Sequence, residues 1–126
     1  MGEDKKILVV EDELGFAKMV KLRLESLGYS VTIAGDAYTG TQDIIKNEFD
    51  LIVLDLMMPA GGGFLLLERI RKIPAKSDIP VVILTGKTVD EEVKRLAGEF
   101  DVTEIYTKPY NSEAFVSKIK SLLQDA

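Results

Sequence analysis

Leu51-Ile52-Val53-Leu54-Asp55 is an unbroken apolar run that ends on a carboxylate. Continuous runs rich in β-branched residues are typical of strands that are buried on both faces of a parallel sheet. Similar runs occur at residues 7–10 and 81–84, and two more mixed runs occur at residues 30–34 and 105–106. The sequence therefore predicts five short strands, with the run at 30–34 at an edge of the sheet.

Helical patterns occupy the intervals between these runs. Residues 14–27 carry apolar side chains at helical spacing, and Gly28 is the predicted C-terminal stop. Asp36 is predicted to cap a second helix. A third helix is predicted to begin at Phe64 and to end before Pro74.

Two further helices complete the pattern. Thr88-Val89-Asp90-Glu91 has the form of a capping box and predicts the start of the fourth helix. Asn111 or Ser112 is predicted to open the fifth. Strand and helix thus alternate five times, which predicts an α/β fold with an open parallel sheet, helices on both faces and right-handed crossovers.

Length and composition limit the class of protein. The chain has 126 residues, of which 46% are hydrophobic and 29% are charged. These values are typical of a globular domain and too apolar for a disordered segment. We expect residues 1–126 to form a single domain with an ordered core at about 5–124. No apolar run approaches the roughly 20 residues that cross a bilayer, so no membrane span is predicted.

Two residue types that carry much of enzyme chemistry are missing. The chain contains neither cysteine nor histidine. This excludes disulfides, thiolate chemistry, Ser-His-Asp catalysis and histidine-bound zinc, and it is compatible with the cytoplasmic location that we expect. The net charge of −5 argues against direct nucleic-acid binding by this segment. Carboxylates, hydroxyls and lysines remain as the reactive groups.

Polar side chains follow four of the predicted strands at the point where each strand ends. They are Glu11 and Asp12 after the first strand, Asp55 after the third, Thr85 after the fourth and Lys108 after the fifth. In an open parallel sheet these strand ends share one edge, where ligands bind. We therefore expect the five side chains to meet there. Any one of them alone would be interpreted as a helix cap, a strand end or a solvated charge.

The repulsion within such a cluster of carboxylates indicates that it binds a cation. Two carboxylates about 5 Å apart repel each other by roughly 3 kcal/mol at an effective dielectric constant near 20. A divalent cation removes this repulsion, and Mg²⁺ prefers carboxylate oxygens and water. Lys108 adds a further positive charge, and Thr85 can donate a hydrogen bond. These groups together are suited to a phosphoryl group, for which aspartate is a known nucleophile.

The residues around these positions resemble those of response regulator receiver domains, the phosphoacceptor modules of two-component signalling. The likeness covers essentially the whole chain. It implies a flavodoxin-like (βα)5 fold, a doubly wound parallel sheet of five strands in the order 2-1-3-4-5. The matching stretches are Ile7-Leu8-Val9-Val10-Glu11-Asp12-Glu13, Leu51-Ile52-Val53-Leu54-Asp55-Leu56-Met57-Met58-Pro59, Pro80-Val81-Val82-Ile83-Leu84-Thr85-Gly86 and Thr107-Lys108-Pro109-Tyr110.

The resemblance implies a role for each acidic residue. Asp55 would accept the phosphoryl group. Glu11, Asp12 and Asp55 would hold Mg²⁺, and the backbone carbonyl of Met57 would be a further ligand. The family usually has two aspartates where this chain has Glu11 and Asp12, a variant that should keep metal binding.

The resemblance also implies contacts and partners. Thr85 and Lys108 would contact the phosphoryl oxygens, and the Lys108–Pro109 bond would be cis. A sensor histidine kinase or a phosphotransfer protein would donate the group from a phosphohistidine. The domain would assist this transfer and its own slow dephosphorylation without being an enzyme. An output domain or partner protein would read the face formed by the fourth helix, fifth strand and fifth helix, and phosphorylation could produce a homodimer.

Two segments depart from the family pattern. Residues 60–63 include three glycines, which predicts a loop that is more mobile than usual. Ile105 stands three residues before Lys108, where the family has an aromatic residue that moves together with the threonine. Tyr106 could take that role if the strand contained a one-residue bulge. We favour the alternative, in which Ile105 stays buried and the output depends on loop movement, because a one-residue slip would turn neighbouring side chains to the wrong faces.

Three other functions are compatible with parts of this pattern. A degenerate pseudo-receiver would bind a protein partner without phosphorylation. A phosphohydrolase would require a second aspartate where Met57 stands. A flavin-binding protein has this topology, but no Ser/Thr-rich phosphate loop follows the first strand.

Several conspicuous residues are interpreted as structural. Gly86-Lys87-Thr88 resembles the end of a P-loop, but its first glycine would have to stand where Val81 is. Phe16, Met19 and Phe64 are predicted to be packing residues. Four lysines are predicted to be solvated charges on helix faces, namely Lys72, Lys76, Lys118 and Lys120.

Overall fold

A five-stranded parallel sheet forms the centre of the protein. The computed structural model describes residues 4–58 and 62–124. The strand order is β2-β1-β3-β4-β5, which confirms the predicted fold and strand order. The strands are β1 (Lys6–Val10), β2 (Ser30–Ala34), β3 (Leu51–Leu54), β4 (Val81–Thr85) and β5 (Glu104–Thr107).

Helices cover both faces of this sheet. They are α1 (Leu14–Glu25), α2 (Ala37–Lys46), α3 (Gly62–Arg71), α4 (Glu91–Glu99) and α5 (Ser112–Leu123), with a 3-10 turn at Pro74–Lys76. Within the described part of the chain, no helix is long and apolar enough to cross a membrane.

Alternation of side chains along the central strands divides the core into two layers. Leu8 and Val10 of β1 belong to the layer that packs on α2, α3 and α4. Ile7 and Val9 belong to the layer that packs on α1 and α5. All four side chains are buried, because successive residues of a strand point to opposite faces and each face carries helices. This explains why the central strands are apolar without alternation.

Side-chain caps start three of the helices. Asp36 accepts a hydrogen bond from the N–H of Thr39 at 2.7 Å, as predicted. Of the two residues predicted to open α5, Asn111 is the cap, and its side chain accepts from the N–H of Ala114 at 3.0 Å. The predicted capping box at Thr88 is wrong. Asp90 caps α4, because its extended backbone directs its carboxylate to the N–H of Val93, at 2.9 Å.

Glycines allow the start of α3 to approach β3 closely. The helix begins at Gly62 and not at the predicted Phe64, so Gly62 and Gly63 do not belong to a loop. Gly62 has a φ of +60°, and a Cβ atom there would lie 2.6 Å from the carbonyl oxygen of Leu56. A Cβ atom on Gly63 would lie 2.7 Å from the carbonyl oxygen of Asp55. The rest of the predicted loop, residues 60–61, lies outside the described residues.

Two predictions of side-chain exposure are wrong. Met19 is 51% exposed on α1 and does not pack in the core. Lys76 is only 7% exposed. Its ammonium donates to the carbonyl oxygen of Asn47 at 2.9 Å and to a carboxylate oxygen of Glu48 at 3.1 Å. Lys76 therefore ties the 3-10 turn to the segment before β3.

We expect Gly63→Ala to lower the free energy of unfolding by about 1–3 kcal/mol, because the new methyl group would collide with the carbonyl oxygen of Asp55. Gly98→Ala in α4 is the matched control. A Cβ atom there meets nothing within 4 Å, so this change should stabilise the protein by up to about 1 kcal/mol. Urea denaturation measures both effects. Equal effects of the two substitutions would contradict the proposed close approach.

Candidate phosphoryl and metal site

The topology brings four strand ends to one edge of the sheet. Glu11 follows β1, Asp55 follows β3, Thr85 ends β4 and Lys108 follows β5. Main-chain hydrogen bonds hold these positions in register beyond the strands. The N–H of Asp55 donates to Val10 at 3.1 Å, and the N–H of Lys108 donates to Thr85 at 2.8 Å. The side chains of the candidate site therefore project from a hydrogen-bonded edge of the sheet.

Asp55 is the central carboxylate of the site and is only 4% exposed. Its Oδ1 accepts hydrogen bonds from the hydroxyl of Thr85 at 2.7 Å and from the N–H of Met57 at 3.0 Å. The N–H of Lys87 in turn donates to the Thr85 hydroxyl oxygen at 3.2 Å. The Lys108 ammonium lies 3.5 Å from Oδ2 of Asp55. Both carboxylate oxygens thus face hydrogen-bond donors.

Two further acids complete a cluster of like charges. Each of Glu11, Asp12 and Asp55 has a carboxylate oxygen within 4.8 Å of the oxygens of the other two. Glu11 is 3% exposed, whereas Asp12 faces solvent. Charges at this separation repel each other, and an all-oxygen donor set that is open on one side suits a hard divalent cation such as Mg²⁺. The structure fits the predicted metal, and the role of the Met57 carbonyl stays a prediction.

Lys108 partly compensates the acidic cluster. Its Nζ lies 2.9 Å from Oε1 of Glu11. Burial raises the pKa of Glu11, and the charge of Asp55 adds to the effect, although the hydrogen bond from Lys108 opposes it. Burial alone would lower the pKa of Lys108, but the hydrogen bond and charge of Glu11, together with Asp55, outweigh it and raise that pKa. The site holds its charges at a cost that a cation would relieve.

The fifth strand places two candidate switch residues on opposite faces of the sheet. Ile105 packs in the layer of α2, α3 and α4, whereas Tyr106 packs in the layer of α1 and α5. The Tyr106 ring lies edge-on to Phe115 with centroids 5.8 Å apart. The register from Ile83–Ile105 to Thr85–Thr107 has no interruption, so the hypothesis of a bulge that substitutes Tyr106 for Ile105 is wrong. The predicted cis Lys108–Pro109 bond is confirmed.

One residue of the site is not predicted from the sequence. Phe16, interpreted there as packing only, places its ring 4.0 Å from the ammonium of Lys108, measured to the ring centroid. It also packs in the layer of α1 and α5. An aromatic residue in the first turn of the helix that follows Glu11 and Asp12 was the available signal, but the direction of its ring depends on the tertiary fold.

Known proteins share both the sequence pattern and the architecture. A family model described as the response regulator receiver domain matches residues 7–120. The chain is 33% identical over 125 residues to the transcriptional regulatory protein RprY of Bacteroides fragilis, covering 98% of this chain and 51% of that protein. It is 34% identical over 120 residues to the response regulator ArlR of Staphylococcus saprophyticus, covering 94% and 52%. The chain thus spans about half the length of these relatives.

Solved structures agree with this match. The chemotaxis protein CheY4 of Vibrio cholerae superposes with a TM-score of 0.88 at 28% identity, covering 96% of this chain and 100% of that one. The non-phosphorylated HemR receiver domain of Leptospira biflexa superposes with a TM-score of 0.85 at 32% identity, covering 98% and 97%.

Removing the lysine of the site should produce a pH-dependent loss of stability. In metal-free buffer at pH 7 we expect Lys108→Met to lower the free energy of unfolding by about 1–3 kcal/mol, because Glu11 and Asp55 lose their cation. The pKa of native Glu11 already lies above its ordinary value of 4.5, and the substitution should raise it further. As the pH falls through this raised pKa, the native state takes up a proton that the unfolded state does not, so the loss should be smaller at pH 5.

Urea denaturation of both proteins at the two pH values measures this difference. Lys72→Met is the matched control, because Lys72 pairs with Glu68 at 3.3 Å on an exposed face. Its effect should stay below about 0.5 kcal/mol at either pH. A loss in Lys108→Met that does not change with pH would contradict the prediction.

Proposed function

The chain belongs to the family of response regulator receiver domains of two-component systems, and from this premise we propose that it is phosphorylated on Asp55. The phosphoryl donor is a phosphohistidine of a sensor histidine kinase or of a phosphotransfer protein. One observation carries the proposal. The buried carboxylate of Asp55 lies among a hydroxyl, an ammonium and two further acids, contributed by Thr85, Lys108, Glu11 and Asp12.

The transfer is a displacement at phosphorus. A carboxylate oxygen of Asp55 forms a bond to phosphorus while the phosphorus–nitrogen bond of the phosphohistidine breaks, and the imidazole leaves with the electron pair. Lys108 neutralises charge on the phosphoryl oxygens, and the Thr85 hydroxyl, which now donates to Asp55 at 2.7 Å, can turn to donate to one of them. These donors need little rearrangement, since they already face the acceptor.

The acidic cluster supports binding of Mg²⁺ beside Asp55. Glu11, Asp12 and Asp55 would hold it with their carboxylates, and the Met57 backbone carbonyl would be a further ligand. When bound, the ion would neutralise charge on the carboxylates and on the incoming phosphoryl oxygens. Burial of Glu11 supports this assignment, because a fixed carboxylate is a better organised ligand than a solvated one.

Phosphorylation adds negative charge beside Lys108 and Thr85. We expect this charge to shift a population between two arrangements of the loops at the site and of the α4–β5–α5 face. An output domain or a partner protein reads that face, and phosphorylation can bring two copies together through it.

The curated relatives are about twice as long as the matched region, and RprY is named as a transcriptional regulator. The net charge of −5 favours a protein partner over nucleic acid for this segment. We expect the domain to act in the cytoplasm.

Receiver domains of response regulators are in general not enzymes. We propose that the chemistry of this domain is limited to its own phosphorylation and slow dephosphorylation. A degenerate pseudo-receiver would lack part of the acceptor set, whereas this chain has Glu11, Asp12, Asp55, Thr85 and Lys108 on one edge, which supports a phosphorylated domain.

Acetyl phosphate with Mg²⁺ should increase the intact mass of the protein by about 80 Da, the mass of one phosphoryl group on aspartate. Asp55→Asn should abolish this increase, because an amide oxygen does not form the acyl phosphate. Asp50→Asn is the matched control at the opposite end of β3 and should be modified like the wild type. Equal modification of Asp55→Asn would refute the assignment of the acceptor.

Mg²⁺ at about 100 times its dissociation constant should stabilise the wild-type fold by about 2.7 kcal/mol, because it binds the native cluster and not the unfolded chain. Asp12→Ala should remove most of this response, since Asp12 supplies one of the three carboxylates. Glu13→Ala, a neighbouring exposed acid outside the cluster, should retain it. Thermal unfolding with and without millimolar Mg²⁺ measures the effect, and an unchanged wild-type melting temperature would argue against a metal site.

A further inference from the structure

We infer that Phe16 is a positioning residue for phosphoryl transfer, whose ring face holds the Lys108 ammonium beside Asp55. This inference rests on the proposed function. The ammonium lies 4.0 Å from the ring centroid, 2.9 Å from Glu11 Oε1 and 3.5 Å from Asp55 Oδ2. It therefore lies between an aromatic face and the two carboxylates.

The ring limits a side chain that would otherwise be mobile. Lysine carries its charge on a flexible four-carbon stem, and 22% of the Lys108 side chain is exposed. Its hydrogen bond to Glu11 holds the ammonium only while that carboxylate binds no other cation. Attraction to the ring face requires no acceptor lone pair, so it persists when the carboxylates change partners. Phe16 thus keeps the ammonium near the position where phosphoryl oxygens would arrive.

Other aromatic residues hold the ring in this orientation. Tyr110 lies edge-on to Phe16, with centroids 6.1 Å apart and ring planes at 78°. Tyr110 lies edge-on to Phe115 in turn, at 5.2 Å and 77°, and Phe115 is fully buried. The Phe16 ring is therefore supported from the core through two perpendicular contacts. A residue that only filled space at this position would not need a π face toward the ammonium.

The first test compares proton resonances of the Lys108 side chain in the wild type, Phe16→Leu and Phe16→Tyr. A ring face at this distance shifts these resonances upfield. The shift should be lost in Phe16→Leu and kept in Phe16→Tyr, and Phe16→Met is a second non-aromatic variant if Phe16→Leu is poorly folded. Phe49→Leu is the matched control, a half-buried phenylalanine of the opposite core layer, and should leave the resonances unchanged. Unshifted Lys108 resonances in the wild type would overturn the inference. This outcome would leave the proposed phosphorylation of Asp55 unaffected.

The second test measures binding of beryllofluoride, a phosphoryl mimic, in the presence of Mg²⁺. Phe16→Leu should weaken its affinity about tenfold, as loss of a partly desolvated cation–π contact would produce. Phe16→Tyr should restore it, and the control Phe49→Leu should bind beryllofluoride like the wild type. Unchanged beryllofluoride affinity in Phe16→Leu, with normal binding by the wild type, would overturn the inference alone. Failure of the wild type to bind beryllofluoride would count against the proposed function, and the inference would fall with it.

Discussion

Lys108 and Glu11 form the ion pair on which the site depends. Three carboxylates lie within 4.8 Å of one another, and the ammonium of Lys108 lies 2.9 Å from Glu11 and 3.5 Å from Asp55. Without this cation, burial of Glu11 and Asp55 as anions would be strongly unfavourable. The pair also joins the end of β1 to the end of β5, across four of the five strands, with β3 and its Asp55 between them. The charges of the acidic residues are therefore compensated only when β5 has joined the sheet.

The rigid base of the site comes from burial on both faces of the central strands. β1 and β3 lie inside the sheet, so their apolar residues alternate between two core layers. The hydrogen-bond ladder extends past the last strand residues to Asp55 and Lys108. On the α3 side, the absence of a side chain at Gly63 lets the helix approach the carbonyl of Asp55. The backbone of Asp55 is thus held by β1 on one side and packed against α3 on another, while its carboxylate faces the polar edge.

The sequence could predict what depends on strand order and on local caps. Apolar runs indicated the strands, and the rule that parallel strand ends converge placed Asp55, Thr85 and Lys108 together. Features that depend on longer contacts were missed. Thr88 and Asp90 are both acceptable caps by type, and only the backbone direction selects Asp90. The burial of Lys76 depends on a carbonyl that lies 29 residues away in sequence.

Phe16 was misjudged for a related reason. Its spacing on α1 fits a core position, and it does pack against the core. The rings of Tyr110 and Phe115 decide whether the face or the edge of the Phe16 ring meets a cation. Both residues lie far from Phe16 in the sequence. Composition and spacing carry no information on such an orientation.

The span of the ion pair has a consequence for the newly made chain. Glu11 and Lys108 are separated by 97 positions, so a ribosome completes Asp55 long before it completes the lysine. Until β5 has emerged and added to the edge of β4, the acidic residues have no ammonium between them. Bringing together ends so far apart in sequence is slow compared with helix formation. Under the proposed function, the domain therefore becomes competent to accept a phosphoryl group only once the last strand has been made, although Asp55 is synthesised much earlier.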